Sequence, residues 1–286
     1  MLNITSLMQR CALVLTLALA PVIAASAPPQ RIVAVGGALT EIVYALDGQA
    51  HLVGVDTTSQ WPAATQSLPR VGYMRNLSAE GILSLAPDTL IASAHAGPPA
   101  VLEQLRSAGV QLSSVAETYS EQGILDKIDT VAALLGKPQQ GEQLRTAVAN
   151  DFRQLAEWRE RQPERPKTLF IMAVTNGEPM VSGRDTAADA VIQLAGGSNA
   201  AAAIQGNKTM GNEAIVATAP EVILLTDISV NALGGLEKWY AMSAIALTPA
   251  GQNRRLIVVD TLALLGFGLR TGQAALNLAE RLHPAP

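Results

Sequence analysis

The sequence predicts an α/β protein of two lobes, each a mainly parallel sheet flanked by helices, joined by one long interlobe helix. Three observations support this prediction. Short β-branched runs alternate with helical segments up to residue 118 and again after residue 166, as in parallel α/β layers. The stretch between them has no strand pattern. A helix–Pro–strand unit also occurs once in each half of the chain.

Composition limits the class of protein. The 286 residues are enough for one large domain or two of ordinary size. Hydrophobic residues make up 49% and charged residues 15%, so the chain can bury a large core and is not disordered. The net charge is −4, from 20 basic and 24 acidic residues, and no run of Lys or Arg stands out. This excludes a nucleic-acid footprint.

Residues 1–27 are predicted to be a cleavable signal peptide, not part of the fold. A short head ending at Arg10 is followed by an apolar run to Ala24 and then by small residues. The run is too short and wrongly flanked for a membrane anchor. Cys11, the single cysteine, begins the run and does not end it, so we expect no lipid modification. The mature chain then has no disulfide, and the bacterial periplasm is the simplest compartment.

The predicted N-terminal lobe covers residues 28–118. Its strands are predicted at 31–35, 51–55, 89–93 and 109–115, and its helices at 38–47, 78–86 and 101–108. Gly36-Gly37 ends the first strand, and Gly48 ends the first helix. The alternation of strand and helix favours a parallel sheet.

A helical linker is predicted over residues 119–166. One helix spans about 121–135 and ends at Gly136-Lys137-Pro138. A second, rich in Gln, Glu, Arg and Ala, spans about 139–161 and is closed by Pro163 and Pro166. A helix of 20 residues is about 30 Å long, which matches the width of a small domain.

The predicted C-terminal lobe covers residues 167–286. Its strands are expected at 168–174, 222–225 and 256–260, with a helix at 187–194.

The segment EGILSLAPDTLI at 80–91 matches EAIVATAPEVIL at 213–224, at an offset of 133 residues. The repeat indicates that the lobes are related, although chance similarity of two helix–Pro–strand units is the alternative.

Catalytic motifs are not evident in the sequence. It contains neither a Gly-x-Ser-x-Gly elbow nor His-Glu-x-x-His, and the Gly-rich run at 266–272 has the wrong spacing for a dinucleotide loop. With three histidines in all, a metal cluster is also not expected. A secreted α/β enzyme is therefore disfavoured, and we expect no catalytic activity.

Two loop residues are candidates for binding a ligand. His95 follows a predicted strand, at the carboxyl end of the sheet where ligands bind, although a surface histidine is the simpler interpretation. Tyr73 precedes the repeated helix, where no apolar periodicity requires an aromatic residue. Its phenolate could bind ferric iron, and Arg75 could stabilise that phenolate by a charge-assisted hydrogen bond. A loop tyrosine packed on its neighbours is the alternative.

Glu80 and Glu213 occupy equivalent positions in the repeat. Each lies in the first turn of its predicted helix, where the helix dipole favours a carboxylate by about 0.3–1 kcal/mol. That explanation is sufficient locally. Their equivalence also favours a functional role, because it gives one negative group to each lobe on the same edge of the molecule.

Four segments resemble the periplasmic haem-binding proteins of bacterial ABC importers, in the group whose lobes are joined by one long helix. They are VGYMRNLSAEGILSLAPD (71–88), HAGPP (95–99), SGRDTAADAVIQLAGGSNA (182–200) and LLGFGLRTGQAA (264–275). The Gly-Tyr-x-Arg part of the first segment is characteristic of the haem binders. Vitamin B12 and siderophore binders share the fold and the two glutamates but usually lack that segment.

The resemblance implies that haem is bound in the cleft between the lobes, with Tyr73 as the iron ligand. Arg75 is expected close to Tyr73 or to a haem propionate, and Glu80 and Glu213 are expected to dock into arginine pockets on the permease. The further haem-contact candidates are Met74, His95, Asn176 and Arg270. Asn176 stands in a loop where some relatives carry a histidine, so no second iron ligand is expected from that side.

The sequence thus predicts a periplasmic carrier, expected to be a monomer, that delivers haem to an ABC permease and its ATPase subunits. Haem is the transported ligand here and not a catalytic cofactor. The alternative is a cobalamin or ferric-siderophore carrier of the same fold, whose binding would not depend on Tyr73.

Overall fold

A computed structural model describes residues 30–284 of the protein. The predicted signal peptide, residues 1–27, lies outside this range. No helix between residues 30 and 284 is both long and apolar enough to cross a membrane.

The first lobe is built on a four-stranded parallel sheet with the strand order β2-β1-β5-β6. Its strands are β1 (Ile32–Val35), β2 (Leu52–Val55), β3 (Gly72–Tyr73), β4 (Asn76–Leu77), β5 (Thr89–Ser93) and β6 (Gln111–Val115), and its helices are α1 (Gly37–Ala45), α2 (Ala79–Leu83) and α3 (Pro99–Ser107). The central strands β1 and β5 are buried along their whole length, as expected for a sheet covered on both faces. Strands β3 and β4 form a separate antiparallel hairpin.

Two helices, α4 (Glu121–Leu134) and α5 (Pro138–Glu160), follow the first lobe. Helix α5 has 23 residues, which corresponds to about 35 Å at 1.5 Å per residue. Its buried residues, Gly141, Val148, Phe152 and Leu155, follow the helical period and form one stripe. The predicted interlobe helix is therefore present, with its polar residues on the opposite side.

The second lobe contains a six-stranded sheet with the order β10-β8-β7-β11-β12, and β9 pairs with the start of β7. Its strands are β7 (Lys167–Thr175), β8 (Glu178–Ser182), β9 (Ser198–Asn199), β10 (Asn207–Thr209), β11 (Val222–Thr226) and β12 (Leu256–Val259). Its helices are α6 (Ala187–Leu194), α7 (Asn212–Thr218), α8 (Asp227–Leu233), α9 (Leu236–Tyr240), α10 (Ser243–Ala246), α11 (Pro249–Gln252), α12 (Thr261–Leu265) and α13 (Thr271–Leu282).

This second sheet is mixed. Strands β7, β9, β11 and β12 are parallel, but β8 and β10 add an antiparallel extension that the sequence analysis did not predict. Asn176 and Gly177 form the two-residue turn between β7 and β8, with φ angles of 51° and 83°. Asn-Gly is the typical sequence for such a turn, because both residues adopt the left-handed conformation at low cost.

The internal repeat corresponds to the same structural unit in both lobes. Helix α2 leads into β5 and helix α7 leads into β11, and each of these strands lies between two parallel neighbours. Ala86 and Ala219 hold equivalent places before a proline, and both have a φ of 45°. The matched segments thus share a backbone conformation that alanine rarely adopts.

The largest core cluster extends across both lobes. It contains Ile32 from the first sheet, Phe170 from the second sheet and Phe152 from helix α5, all of them buried. Helix α5 contacts α4 on one side and α13 on the other. The predicted two-lobed α/β fold is confirmed, and the lobes share one apolar core along the interlobe helix.

Candidate functional site

A cleft of about 600 Å³ lies between the two lobes. The first lobe contributes residues that follow β1, β2, β5 and β6, together with the β3–β4 hairpin, and the second contributes residues that follow β11 and β12. These are the carboxyl ends of parallel strands, where open α/β sheets bind their ligands. The volume lies within the range of about 300–1,000 Å³ that is usual for small-molecule sites.

Tyr73 projects from the β3–β4 hairpin, where it pairs with Asn76 across the turn formed by Met74 and Arg75. Gly72 has a φ of 101°, and a Cβ at that position would lie 3.0 Å from the Asn76 carbonyl oxygen, so the hairpin favours glycine there. The Tyr73 side chain is 47% exposed and lines the cleft. Its hydroxyl group has no hydrogen-bond partner among residues 30–284 and is therefore available to a ligand.

The hairpin is joined by backbone hydrogen bonds to the loop that carries His95. The Gly97 amide donates to the Met74 carbonyl oxygen at 2.9 Å, and the Leu77 amide donates to the Gly97 carbonyl oxygen at 2.9 Å. His95 is exposed and lines the cleft, and only its backbone amide has a protein partner within the described chain, the Ser93 hydroxyl at 3.2 Å. The cleft thus contains an imidazole on the same side as the phenol.

Arg75 lines the cleft next to Tyr73 in sequence and is exposed. It forms no ion pair within residues 30–284, whereas Glu117 on the cleft wall is paired with the buried Lys127 at 2.9 Å. Tyr119, a second phenol in the cleft, interacts electrostatically with both Glu117 and Arg75. Burial and then the Glu117 carboxylate raise the pKa of Tyr119, and the Arg75 guanidinium offsets part of this. The phenolate form of Tyr119 is therefore disfavoured.

Arg270 also lines the cleft, but its guanidinium is already paired with carboxylates of the protein. Its Nε and Nη2 donate to Oε1 of Glu41 at 2.8 and 2.6 Å, and its Nη1 lies 3.5 Å from Oδ2 of Asp260. The Glu41 side chain is only 4% exposed. Burial raises the pKa of the Glu41 carboxyl, and the Arg270 guanidinium partly counteracts that rise. Of the two arginines predicted to contact the ligand, Arg75 has the free charge.

Trp61 is a cleft residue that the sequence analysis missed. The guanidinium carbon of Arg270 lies 4.9 Å from the centroid of the Trp61 ring, in the geometry of a cation–π contact. The indole is 50% exposed and lines the cleft. The available signal was an aromatic residue in a polar loop after a predicted strand, in a chain with three tryptophans.

The loop that carries this indole is held by a buried carboxylate. Asp56 accepts hydrogen bonds from the Gly36 amide (2.9 Å), the Thr58 amide (2.9 Å), the Thr58 hydroxyl (2.7 Å) and the Ser59 hydroxyl (2.7 Å). Arg70 donates from Nη1 to the backbone carbonyl oxygens of Asp56 (2.9 Å) and Ser59 (2.7 Å). The buried carboxylate thus has its acceptors filled, and the loop has a fixed conformation.

The second lobe supplies an apolar wall. Ile228, in the first turn of α8, is 55% exposed, and Leu262 and Leu265 of α12 also face the cleft. Asp227 accepts hydrogen bonds from the Thr261 amide at 3.1 Å and the Thr261 hydroxyl at 2.6 Å, which joins the starts of α8 and α12. A ligand in the cleft therefore meets aliphatic side chains on this side.

The structure does not place every predicted contact residue together. Asn176 is not among the residues that line the cleft, since it forms the exposed turn between β7 and β8. Tyr73, Met74, Arg75, His95 and Arg270 all line it. Asparagine at that turn has a local explanation, because it tolerates a positive φ.

Glu80 and Glu213 lie outside the cleft lining. Both are exposed, and each is in the first turn of its helix, α2 or α7. The positions agree with the helix-dipole explanation and leave both carboxylates accessible to a partner.

Within residues 30–284, no group of three or more His, Cys, Asp or Glu side chains is arranged to hold a metal ion. The cleft instead presents a free phenol, an unpaired arginine, an imidazole and apolar walls. This set of groups can hold a flat apolar ligand that carries a metal centre and an anionic group.

A two-lobed α/β fold with a cleft between its lobes is typical of extracytoplasmic substrate-binding proteins. The chain matches the family model described as periplasmic binding protein over residues 32–262, and it belongs to that family. The members and structural neighbours found are binding proteins and not enzymes.

Three known proteins are similar to this chain. The solved structure of the periplasmic heme-binding protein RhuT from Roseiflexus sp. RS-1, in apo form, is 40% identical, with a TM-score of 0.85 over 89% of this chain and 98% of that one. An uncharacterized ABC transporter substrate-binding lipoprotein, YvrC of Bacillus subtilis, is 26% identical over 90% of this chain and 81% of its own length. A vitamin B12-binding protein of Yersinia pseudotuberculosis is 29% identical over 67% of this chain and 66% of its own length.

Proposed function

We propose that the protein binds haem in the cleft between its lobes and delivers it to an ABC permease, without catalysing a reaction. The observation that carries the proposal is Tyr73, an exposed phenol in the cleft with no hydrogen-bond partner among the described residues. The likeness to a heme-binding protein at 40% identity over nearly the whole of that protein supports the same ligand.

The chemistry of the cleft agrees with haem as the cargo. Ferric iron is a hard cation that is well matched by a phenolate oxygen. The unpaired Arg75 is positioned to stabilise that phenolate or to pair with a propionate. The porphyrin is flat and apolar, and Ile228, Leu262 and Leu265 offer it an aliphatic wall. Apolar surface buried there contributes about 25 cal/mol per Å² before the costs of ordering.

Tyr73 is the better of the two cleft tyrosines for this role. The pKa of Tyr119 is raised by burial and by Glu117, so its phenolate is disfavoured. The ring of Tyr119 also packs against Phe267, with the centroids 5.3 Å apart. Tyr119 therefore serves as part of the wall, and Tyr73 is our proposed iron ligand, with Met74 and His95 as neighbouring contacts.

The proposal includes location and partners. We place the mature protein in the periplasm, after removal of a signal peptide at residues 1–27, as a monomer that delivers to a permease with its ATPase subunits. The Bacillus subtilis relative is an ABC transporter substrate-binding protein, which supports this kind of partner. The domain boundaries at residues 28–118, 119–166 and 167–286 remain predictions.

A corrinoid is the second candidate ligand. The vitamin B12-binding relative aligns with two thirds of this chain, so the fold alone does not separate the two ligands. A ferric siderophore is the other ligand class that the sequence analysis kept open. Dependence on Tyr73 separates them, because neither alternative needs a phenolate ligand to iron.

The test is a titration of the mature protein with hemin and, separately, with cyanocobalamin, followed by absorbance. We expect saturable hemin binding with the spectrum of a tyrosinate–ferric complex. In Tyr73→Phe this spectrum should be lost, because the oxygen that binds iron is removed. Tyr44→Phe is the matched control, since Tyr44 lies in α1 outside the cleft and should bind hemin like the wild type.

Two results would contradict the proposal. An unchanged hemin spectrum in Tyr73→Phe would move the iron ligand to another residue, with His95 the next candidate. Saturable binding of cyanocobalamin together with no specific binding of hemin would replace haem by a corrinoid as the cargo.

A further inference from the structure

We infer that Trp61 is a specificity residue, whose indole packs against the face of a flat macrocycle in the cleft. The inference rests on the proposed function, because it names the group that recognises the shape of the ligand whose iron Tyr73 would bind. Trp61 contributes no donor to the metal, so its role can be measured separately from that of Tyr73.

Exposed apolar side chains are concentrated in the cleft. Four large hydrophobic residues are exposed within the described chain, namely Trp61, Tyr73, Ile228 and Leu247, and the first three line the cleft. A single exposed apolar residue on a surface needs no explanation, whereas several gathered in one concave site indicate a ligand surface.

Trp61 is held in place before any ligand arrives. Arg270 contacts its ring at 4.9 Å, and that guanidinium is itself fixed by hydrogen bonds of 2.8 and 2.6 Å to Glu41. The hydrogen bonds to the buried Asp56 fix the backbone that leads to it. A group that is already ordered loses little conformational entropy on binding, so less of its contact energy is spent on ordering.

The indole and the phenol belong to connected segments. The Thr57 amide, at the start of the Trp61 loop, donates to the Gly72 carbonyl oxygen of the Tyr73 hairpin at 2.9 Å. The two aromatic side chains therefore stand on connected segments of the first lobe, and both line the cleft. A porphyrin bound through its iron to Tyr73 offers these side chains one extended flat π-face, whereas a ferric siderophore, in which oxygen donors surround the iron, has no such macrocycle.

The experiment compares hemin with metal-free protoporphyrin IX, which has the same ring but no iron for Tyr73 to bind. Binding is followed by hemin absorbance and by porphyrin fluorescence. In Trp61→Ala we expect the affinity for both ligands to fall by about tenfold, and in Trp61→Phe we expect most of it to return. Leu247→Ala is the matched control, because it removes a large side chain that is 62% exposed and outside the cleft.

A second variant distinguishes stacking from support of Arg270. Arg270→Gln removes the cation above the ring and leaves the indole available, so Trp61→Ala should weaken porphyrin binding in that background as well. If the double variant is no weaker than Arg270→Gln alone, Trp61 acts only through Arg270 and the inference is wrong.

The remaining outcomes separate this inference from the proposed function. Wild-type protein that binds hemin but not metal-free protoporphyrin IX would overturn the inference and leave haem transport standing. Metal-free porphyrin binding that is unchanged in Trp61→Ala would do the same. Failure of the wild type to bind hemin at all would instead remove the proposed function on which the inference rests.

Discussion

Two arginines line the cleft, and their partners give them different roles. Arg75 is exposed and forms no ion pair within the described part of the chain, so its charge is free for an anionic group. Arg270 is bound to the buried Glu41 and lies over Trp61, so it supports the indole that lines the cleft. At the scale of single residues, this free charge, and not proximity alone, is the reason that we propose Arg75 as the contact for a ligand carboxylate.

The Glu41–Arg270 pair gives a prediction about pH. Burial raises the pKa of Glu41 above its ordinary value of 4.5, and the ion pair offsets only part of that rise. Well below pH 4.5 this carboxyl is protonated in both folded and unfolded chains. As the pH rises towards the higher folded pKa, the unfolded chain loses the proton first, so the free energy of unfolding falls.

Urea unfolding of the wild type and of Glu41→Gln at a series of pH values measures this contribution. The neutral glutamine does not titrate, so we expect the stability of the wild type relative to the variant to decrease between pH 4 and pH 7. A relative stability that increases over that interval would mean that the ion pair with Arg270 outweighs the cost of burial.

At the scale of elements, helix α5 is determined by its own sequence, whereas the β3–β4 hairpin depends on contacts with other parts of the chain. The helix follows from its own sequence, with Pro138 in the first turn and a buried stripe at helical spacing. The hairpin has two residues in each strand and depends on bonds to the loops after β2 and β5. Periodicity therefore predicted the helix, whereas the hairpin appeared in the sequence only as a loop before a helix.

Phe152 tests the role of α5 in joining the lobes. Its side chain is buried in the core cluster shared by both lobes, so Phe152→Ala leaves a cavity at their junction. We expect a loss of about 3–5 kcal/mol in the free energy of unfolding, measured with urea. Arg153→Ala, on the exposed side of the same helix, should change it by less than about 0.5 kcal/mol. Equal effects of the two substitutions would contradict a core at that junction.

The antiparallel strands of the second sheet were missed for a specific reason. Asn176-Gly177 is a strong hairpin signal, and strand β8 begins directly after it at Glu178. Strand β8 is short and β10 is exposed throughout, so neither shows a long apolar alternation. Turn chemistry was the information that could have revealed the hairpin.

At the scale of the whole molecule, the two lobes share a core and also present matched carboxylates. Glu80 and Glu213 begin equivalent helices of the repeat, are exposed, and stay clear of the cleft. A partner that contacts both lobes could therefore bind both carboxylates without touching a ligand in the cleft. If these carboxylates dock the protein on its permease, as the resemblance implies, docking and ligand binding use different surfaces.

Substitution of both glutamates tests that separation. We expect Glu80→Ala/Glu213→Ala to bind hemin like the wild type, because neither residue lines the cleft, but to lose stimulation of ATP hydrolysis by the reconstituted permease complex. Glu160→Ala/Glu178→Ala is the control, since it removes the same charge from exposed positions elsewhere. Docking by these carboxylates would be contradicted if the two double variants stimulate the ATPase equally.

The sequence by itself determined the seven main parallel strands, the interlobe helix and the position of Tyr73 before the repeated helix, because these depend on local periodicity, turn residues and neighbouring motifs. Only the tertiary structure decided the partners in the cleft. Glu41 and Arg270 are 229 positions apart, and Trp61 becomes a wall because Arg270 from the other lobe lies against it. Side-chain partners so distant along the chain are set by how the lobes pack, which a local pattern does not encode.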